Sequence, residues 1–326
     1  MSNKLNLLAP VISIQSAKTM VAAGADELFI AMDDPQLKNI TFTVRSKKCH
    51  GMMRTCVSRE DFSEIVKIAH GAGIKVNLVA NIPALKIPME GASENHRVDM
   101  SKLYLEMVQR GEMLGADAVI VGGVTPLLKI KKSGIDLPIH AGTFFNVFNS
   151  GQVHFLKDLG VKRITYPFNI TLAEIKKLTL IKGLEHEVFG HFSCSAVNGL
   201  CFLTHSVTEE LTTYMSCRNR YNVNSSFCDL KHLSFFKVNL ECSICSLSEF
   251  INLNIHGIKI VGREIPLIMS APIVKMYRKC IDALYGGASS EDLKRLYVVN
   301  SPFWLKEYCS HHSCKYIPSE HLQPEI

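Results

Sequence analysis

One short unit recurs along this 326-residue chain and constrains its fold more than any bulk property does. VAAGADELFIA ends at Ala31, HGAGIKVNLVA at Ala80, EMLGADAVIVG at Gly122, KDLGVKRITYP at Pro167 and NLNIHGIKIVG at Gly262. Each reads as the last turn of a helix, usually closed by a glycine, and then a strand. Glycine suits that place because a helix commonly ends on a residue with positive φ, which a Cβ disfavours. The strands are apolar at nearly every position, as parallel strands covered on both faces are. NLLAP, LPIHAGTF and HEVFGHFS supply three more. The pattern predicts eight strands, near residues 5–9, 26–31, 76–81, 118–123, 138–144, 163–168, 186–193 and 257–263. Amphipathic stretches separate them: SREDFSEIVKIAHGAG, with Ser58 as N-cap and acids in its first turn, then MSKLYLEMVQRGEMLGA, NSGQVHFLKDLG and TLAEIKKLT.

Eight strands alternating with helices predict an α/β fold, a TIM-like (β/α)8 barrel. The competing architecture is an open doubly wound sheet. No G-x-G-x-x-G follows any strand, which weighs against dinucleotide binding. The barrel is expected over residues 1–287, with a cysteine-rich insertion at 194–256 between strands seven and eight, and 288–326 as a C-terminal extension. An apolar fraction of 47% allows a large core. No apolar run approaches the roughly 18 residues of a membrane span. The N-terminal residues lack the pattern of a signal peptide, so a cytoplasmic location is expected. The net charge of +6 is mild and its positives are scattered, in RSKK, KIKK and VKR, so nucleic-acid binding is permitted but not indicated.

Six of the eleven cysteines fall in the insertion: Cys194, Cys201, Cys217, Cys228, Cys242 and Cys245. An insertion after a barrel strand lies on the C-terminal face, where barrel enzymes keep their chemistry. Cys49, Cys56 and Cys280, taken singly, read as packed core residues. A C-x2-C pair occurs once, at Cys242 and Cys245, without the second such pair of a zinc ribbon. Iron–sulfur ligands need only converge in space, and soft thiolates suit either metal. A thiol nucleophile would need a base, for which His191 or His205 are the candidates.

The stretch EVFGHFSCSAVNGLCFLT resembles the signature of the collagenase-like peptidase U32 family, through Glu187, Phe189, Cys194, Gly199, Cys201, Leu203 and Thr204. SCRNRY resembles the family's Cys-Arg-x-x-Tyr element, with Cys217, Arg218 and Tyr221. GIKIVGR resembles its Lys-Ile-Glu-Gly-Arg strand, with Lys259, Gly262 and Arg263. Val261 stands where the family usually has glutamate, and PFNITLAEI stands where it tends to have Arg-Glu-Leu. These departures weigh against a peptidase. The resemblance spans roughly residues 5 to 265 and is closest to the short iron–sulfur members, similar to the hydroxylation factors of anaerobic ubiquinone synthesis. It implies a [4Fe–4S] cluster held by Cys194, Cys201, Cys217 and Cys242, with Cys245 and Cys228 as alternative fourth ligands. It further implies oxygen-independent hydroxylation or a related redox step on a small-molecule substrate, less readily on RNA, with a paralogous subunit as partner in a heterodimer. A peptidase and a non-catalytic substrate-binding subunit are the rival readings.

Four further residues and one motif complete the candidates. His140, at the expected mouth end of strand five, is read as a substrate-binding or orienting group. Asn81, at the end of strand three, offers hydrogen bonds to a ligand. Arg263, just past strand eight, suits an anion. Lys259, mid-strand, either points into the barrel and needs an acidic partner or sits between strand and helix. The tail C-S-H-H-S-C, residues 309 to 314, contains metal-binding residue types outside the family resemblance.

Overall fold

The computed structural model describes residues 4–33, 56–82, 100–193, 220–225, 228–234, 239–263, 265–295, 300–309 and 314–316. Eight parallel strands form a closed ring: β1 (Asn6–Val11), β2 (Glu27–Met32), β3 (Lys75–Ala80), β4 (Ala118–Val121), β5 (Ile139–Ala141), β6 (Arg163–Thr165), β7 (Glu185–Ser193) and β8 (Gly257–Ile260). Each pairs with the next, and β8 pairs with β1 through Asn6–Gly257 and Leu8–Lys259. All eight lie within a few residues of their predicted positions, and the TIM-like barrel is the fold.

The helices are α1 (Ile14–Ala22), α2 (Arg59–Gly71), α3 (Met100–Met113), α4 (Val124–Ser133), α5 (Ser150–Asp158), α6 (Leu172–Leu178), α7 (Leu247–Asn252) and α8 (Leu267–Tyr285). Their starts obey the capping signals read from the sequence. Ser58 Oγ accepts from the Asp61 amide at 3.0 Å, and Thr171 and Glu174 form a reciprocal capping box. The recurrent helix–strand junction has a common conformation. Gly24, Gly73, Gly115 and Gly160 have φ of 91°, 72°, 91° and 78°, and where the fifth unit lacks the glycine, Asn254 takes φ 53°.

Alternation along the strands divides the core in two. Outward residues such as Leu7, Ile30, Leu78, Val119 and Ile258 pack under the helices against Met20, Phe62, Tyr104 and Tyr277. Fully burying one such side chain stabilises by about 1.5–3 kcal/mol. Inward residues form a small apolar group, Leu8, Phe29, Ala31, Val79 and Ile120, joined by Cys56 from a two-residue strand beside β2. Apart from Ala118 and Phe189, the rest of the described barrel interior is polar.

The insertion leaves from the C-terminal end of β7. It contains an antiparallel pair, Arg220–Ser225 with Cys228–Ser234, and a strand, Asn239–Cys242, antiparallel to β7. Part of the tail packs beside it: Trp304 is buried, and Cys314 forms a backbone bridge with Cys242. Cys49, Cys194, Cys201, Cys217 and His205 lie outside the described residues. No described helix is long and apolar enough to cross a membrane.

Candidate functional site in and above the barrel

Inward strand positions hold a network of charge. Arg163, the first residue of β6, donates from Nη1 and Nη2 to the two carboxylate oxygens of Glu27 at 2.7 and 2.8 Å. Its Nη1 also reaches Glu187 at 3.2 Å and its Nε reaches Glu185 at 2.7 Å. Asn77 donates to Glu27 at 2.8 Å, and Thr165 to Glu187 at 2.8 Å. Lys259 donates to Glu187 at 3.3 Å and lies 4.5 Å from the centre of the Phe29 ring. Arg163, Glu27 and Glu187 have side chains only 1–2% exposed. Burial by itself pushes the Glu27 carboxyl up, but hydrogen bonds from His256 and Arg163 outweigh it and hold the group far below the usual carboxylate range. Burial pulls the Lys259 ammonium below its ordinary value, against the opposing pull of Glu187.

Lys259 therefore points into the barrel, and its acidic partner is Glu187, a residue of the quoted cysteine signature. His140 requires a correction. It is the middle residue of a strand only three residues long, and it pairs with Arg163, the first residue of β6. Strand tilt in a barrel staggers neighbours in this way, so the middle of one strand is level with the start of the next. His140 accordingly lines a cavity of about 510 Å³ at the N-terminal ends of the strands, with Glu27, Asn77, Arg163 and Glu185. This is the end opposite the mouth. Burial, then the nearby Arg163, push its imidazole well below the ordinary value, so it is neutral. It does not share a mouth pocket with Arg263.

Asn81 and Arg263 do lie at the C-terminal end. Asn81 directly follows β3, and its Oδ1 is buried and makes no hydrogen bond among the described residues. Gly122, just past β4, is in close approach to the Asn81 carbonyl, where a Cβ would collide with it. Arg263 follows β8 by three residues, is buried, and acts electrostatically on Lys259.

Cys242 sits on the outer side of β7. Between Lys259 and Ile260 the register with β7 shifts, so two residues of β7 face one of β8. This bulge breaks the alternation and turns His191 outward into a group of aromatic rings. Its ring centre lies 5.6 Å from that of Tyr277, 5.2 Å from Trp304 and 4.5 Å from Tyr308. Burial pushes His191 down to about 3. Tyr277 Oη donates to the Gly190 carbonyl, accepts from the Ser243 amide at 2.9 Å, and lies 3.8 Å from Cys242 Sγ. Burial raises the Cys242 thiol to about 12. Cys245 sits half-buried in the 3-10 turn Ile244–Ser246 before α7. Cys228 starts a strand of the antiparallel pair. Cys56 and Cys280 are buried, in keeping with their reading as core.

Sequence reasoning missed Glu27, Asn77, Arg163 and Thr165. A signal existed: DELFIA, KVNLVA and KRIT each place a polar residue at an inward position of an otherwise apolar strand.

Fold and interior together define a (β/α)8-barrel protein with a charged floor and a cysteine-bearing insertion that follows β7. The chain belongs to peptidase family U32, whose model matches residues 12–313. It is 24% identical over 297 residues to tRNA hydroxylation protein P1 of Bacillus subtilis, covering 86% of this chain and 64% of that protein. It is also 24% identical to tRNA hydroxylation protein P of Escherichia coli, covering 68% of this chain and 44% of that one. The chain thus spans about half to two thirds of the length of these two relatives. A collagenase of Porphyromonas gingivalis is 19% identical, over 93% of this chain and 73% of the collagenase. Among solved structures, the U32 peptidase Mk0906 superposes with a TM-score of 0.52 at 12% identity, covering 82% of this chain and 96% of that one.

Proposed function

We propose that this chain is an iron–sulfur factor for oxygen-independent hydroxylation, and that its substrate is a nucleoside of tRNA. The observation that carries this reading is the similarity over 86% of the chain to a tRNA hydroxylation protein. The named relatives weigh toward RNA and away from the small molecule that the resemblance implied. A small-molecule substrate, processed beside a paralogous subunit, is the competing outcome.

Four thiols, Cys194, Cys201, Cys217 and Cys242, suit the soft donor set of a [4Fe–4S] cluster. One feature of the backbone supports their convergence. Asn239 in the strand that ends at Cys242 faces Ser193, the residue before Cys194. Burial raises the Cys242 thiol, and coordination to a metal would displace its proton to solvent. When bound, the cluster supplies one-electron redox chemistry. The chain's own residues would hold the substrate: Asn81 offers a buried acceptor to a donor on the base. Lys259 and Arg263 place positive charge at the C-terminal half of the interior, and Glu187 orients Lys259.

The test is anaerobic purification with iron and sulfide counts, for the wild type and for alanine at each of the four cysteines. Iron should fall sharply in every variant and stay constant in Cys280→Ala. Unchanged iron in Cys194→Ala and Cys201→Ala would refute the cluster. If only Cys242→Ala keeps its iron, the fourth ligand is Cys245 or Cys228. Substrate is read separately, by mass spectrometry of tRNA nucleosides from cells with and without the chain. The peptidase reading, which rests on the collagenase relative, predicts instead gelatin cleavage that survives loss of iron.

A further inference from the structure

Two consecutive tail residues hold the backbone of two aromatic residues at the barrel mouth. Cys314 forms a parallel backbone bridge with Cys242, and the Lys315 amide donates to the Cys242 carbonyl at 2.8 Å. From that anchor Lys315 Nζ donates to the Phe168 carbonyl and, at 2.8 Å, to Glu241. Tyr316 Oη donates to the Phe189 carbonyl at 3.0 Å. Tyr316 takes φ of 71°, a left-handed conformation uncommon for a residue with a side chain. The two carbonyls belong to residues whose rings lie flat on each other: the ring centres of Phe168 and Phe189 are 3.8 Å apart and their planes 14° apart. Phe189 points inward from β7, level with Lys259, and is buried. Phe168 lies on it from the loop between β6 and α6, on the C-terminal face, and is half-buried. It belongs to PFNITLAEI, a stretch in which the sequence departs from the family pattern.

We propose that Phe168 is the platform on which the target base of tRNA stacks, with Lys315 and Tyr316 as positioning residues that keep its ring in place. The inference rests on the tRNA reading above and names the contact that takes the face of the base. Phe189 covers one face of the Phe168 ring, and among the described residues no other ring stacks on it. A half-buried ring at the mouth, backed by a second parallel ring, presents a flat surface the size of a pyrimidine. Every base has such a face, and aromatic side chains hold unpaired nucleotides by stacking on it. Lys315 is occupied by Glu241 and the Phe168 carbonyl, so its part is to hold the ring, not to meet a phosphate. The edge of the base is read elsewhere. β6 and β3 are three strands apart around the barrel of eight, so Phe168 and Asn81 flank the mouth from opposite sides. Phe168 supplies stacking, which tolerates any base, and Asn81 supplies a buried acceptor, which selects a donor on the base edge. The alternative role of Phe168, an apolar plug over Phe189, needs volume and not a π face.

The full chain, purified anaerobically, is titrated with unfractionated tRNA. Phe168→Ala should bind about five- to hundredfold more weakly than the wild type, with iron content unchanged. Phe168→Leu keeps the apolar volume and should lose as much as Phe168→Ala, whereas Phe168→Tyr keeps the π face and should bind within about twofold of the wild type. In Phe168→Trp the added indole should be quenched by tRNA, beyond any change in the wild type, whose single tryptophan, Trp304, is buried. Adding Lys315→Met or Tyr316→Phe to Phe168→Trp should reduce the quenching at saturating tRNA, and unchanged quenching would remove their positioning role. Phe168→Leu binding as the wild type does would make the residue a plug and overturn the proposal. So would tRNA binding without quenching in Phe168→Trp. A wild type that binds no tRNA overturns the tRNA reading itself, and the platform with it.

Discussion

The floor of the barrel and the outer face of β7 bury polar groups in opposite ways. In the floor, full charges are neutralised by one another: Arg163 touches three carboxylates, and Glu187 is shared between Arg163 and Lys259. Outside β7, the groups around Cys242 are kept neutral by burial, with His191 pushed to about 3 and the thiol to about 12. A charge network is intolerant of losing one member, because the partner stays behind as an uncompensated buried ion. A neutral wall loses one hydrogen bond or some packing at a time.

Removing Arg163 is the most severe way to test that contrast. Arg163→Ala strands Glu27 and Glu187 in the interior and should cost about 3–5 kcal/mol in denaturant unfolding. A loss no larger than that of a single neutral hydrogen bond would show that water reaches the floor and that the two regions are energetically alike.

Acid separates the regions by pH. His186 and His191 have folded values of about 4 and about 3, below the ordinary 6.5. Below 6.5 the unfolded chain takes up their protons first, so their contribution is full above 6.5 and falls as pH drops toward 4 and 3. Each pH unit in that window removes at most about 1.4 kcal/mol per histidine. Glu27 is held below its usual 4.5, so the carboxylate part of the floor's contribution is retained down to that value and fades beneath it, while His140, kept neutral in the floor, adds to the loss that begins below 6.5. Unfolding midpoints between pH 7 and 3 should thus fall in two stages. The earlier stage should shrink in His191→Phe. A single transition beginning below 4.5 would remove the distinction.

Tyr277→Phe probes the neutral wall directly. It removes the hydroxyl from the Gly190 carbonyl and the Ser243 amide, which stay bonded to each other at 3.0 Å, and should cost about 0.5–1.5 kcal/mol, clearly less than Arg163→Ala. If it matches or exceeds Arg163→Ala, the wall, and not the floor, is the fragile region.

The barrel was legible because the helix–glycine–strand unit is a local signal repeated along the chain, and eight apolar strands leave few architectures. The interior was less legible because facing in or out depends on one-residue phase. His140 was placed at the mouth from the length of the predicted strand 138–144. The observed β5 ends at Ala141, and the stagger of neighbouring strands sets its middle residue against the start of β6. His191 faces outward because of a bulge that no local pattern announces. The Arg163–Glu27 pair joins residues 136 apart in sequence, a contact that only barrel closure creates. Lys259 was readable to the point of needing an acid, and Glu187 was already in view as a motif residue. The pairing needed the register of β7 against β8.

The smallest expected stability change belongs to Asn81, and for that reason it isolates function. Its Oδ1 is a buried acceptor without a hydrogen bond among the described residues, so Asn81→Ala removes an unsatisfied acceptor. Unfolding should shift by no more than about 0.5 kcal/mol. If Asn81 accepts from the substrate, the same change should weaken substrate binding by about 1–2 kcal/mol, roughly five- to thirtyfold. That loss should fall on KM, with the iron content unchanged. Gly122→Ala offers an independent approach to the same atom group, because its Cβ would displace the Asn81 carbonyl from β4. Both variants should move KM in the same direction while His140→Ala, at the far end of the barrel, leaves it where it is. A KM that responds to His140 and ignores Asn81 would put the substrate at the charged floor instead of the mouth.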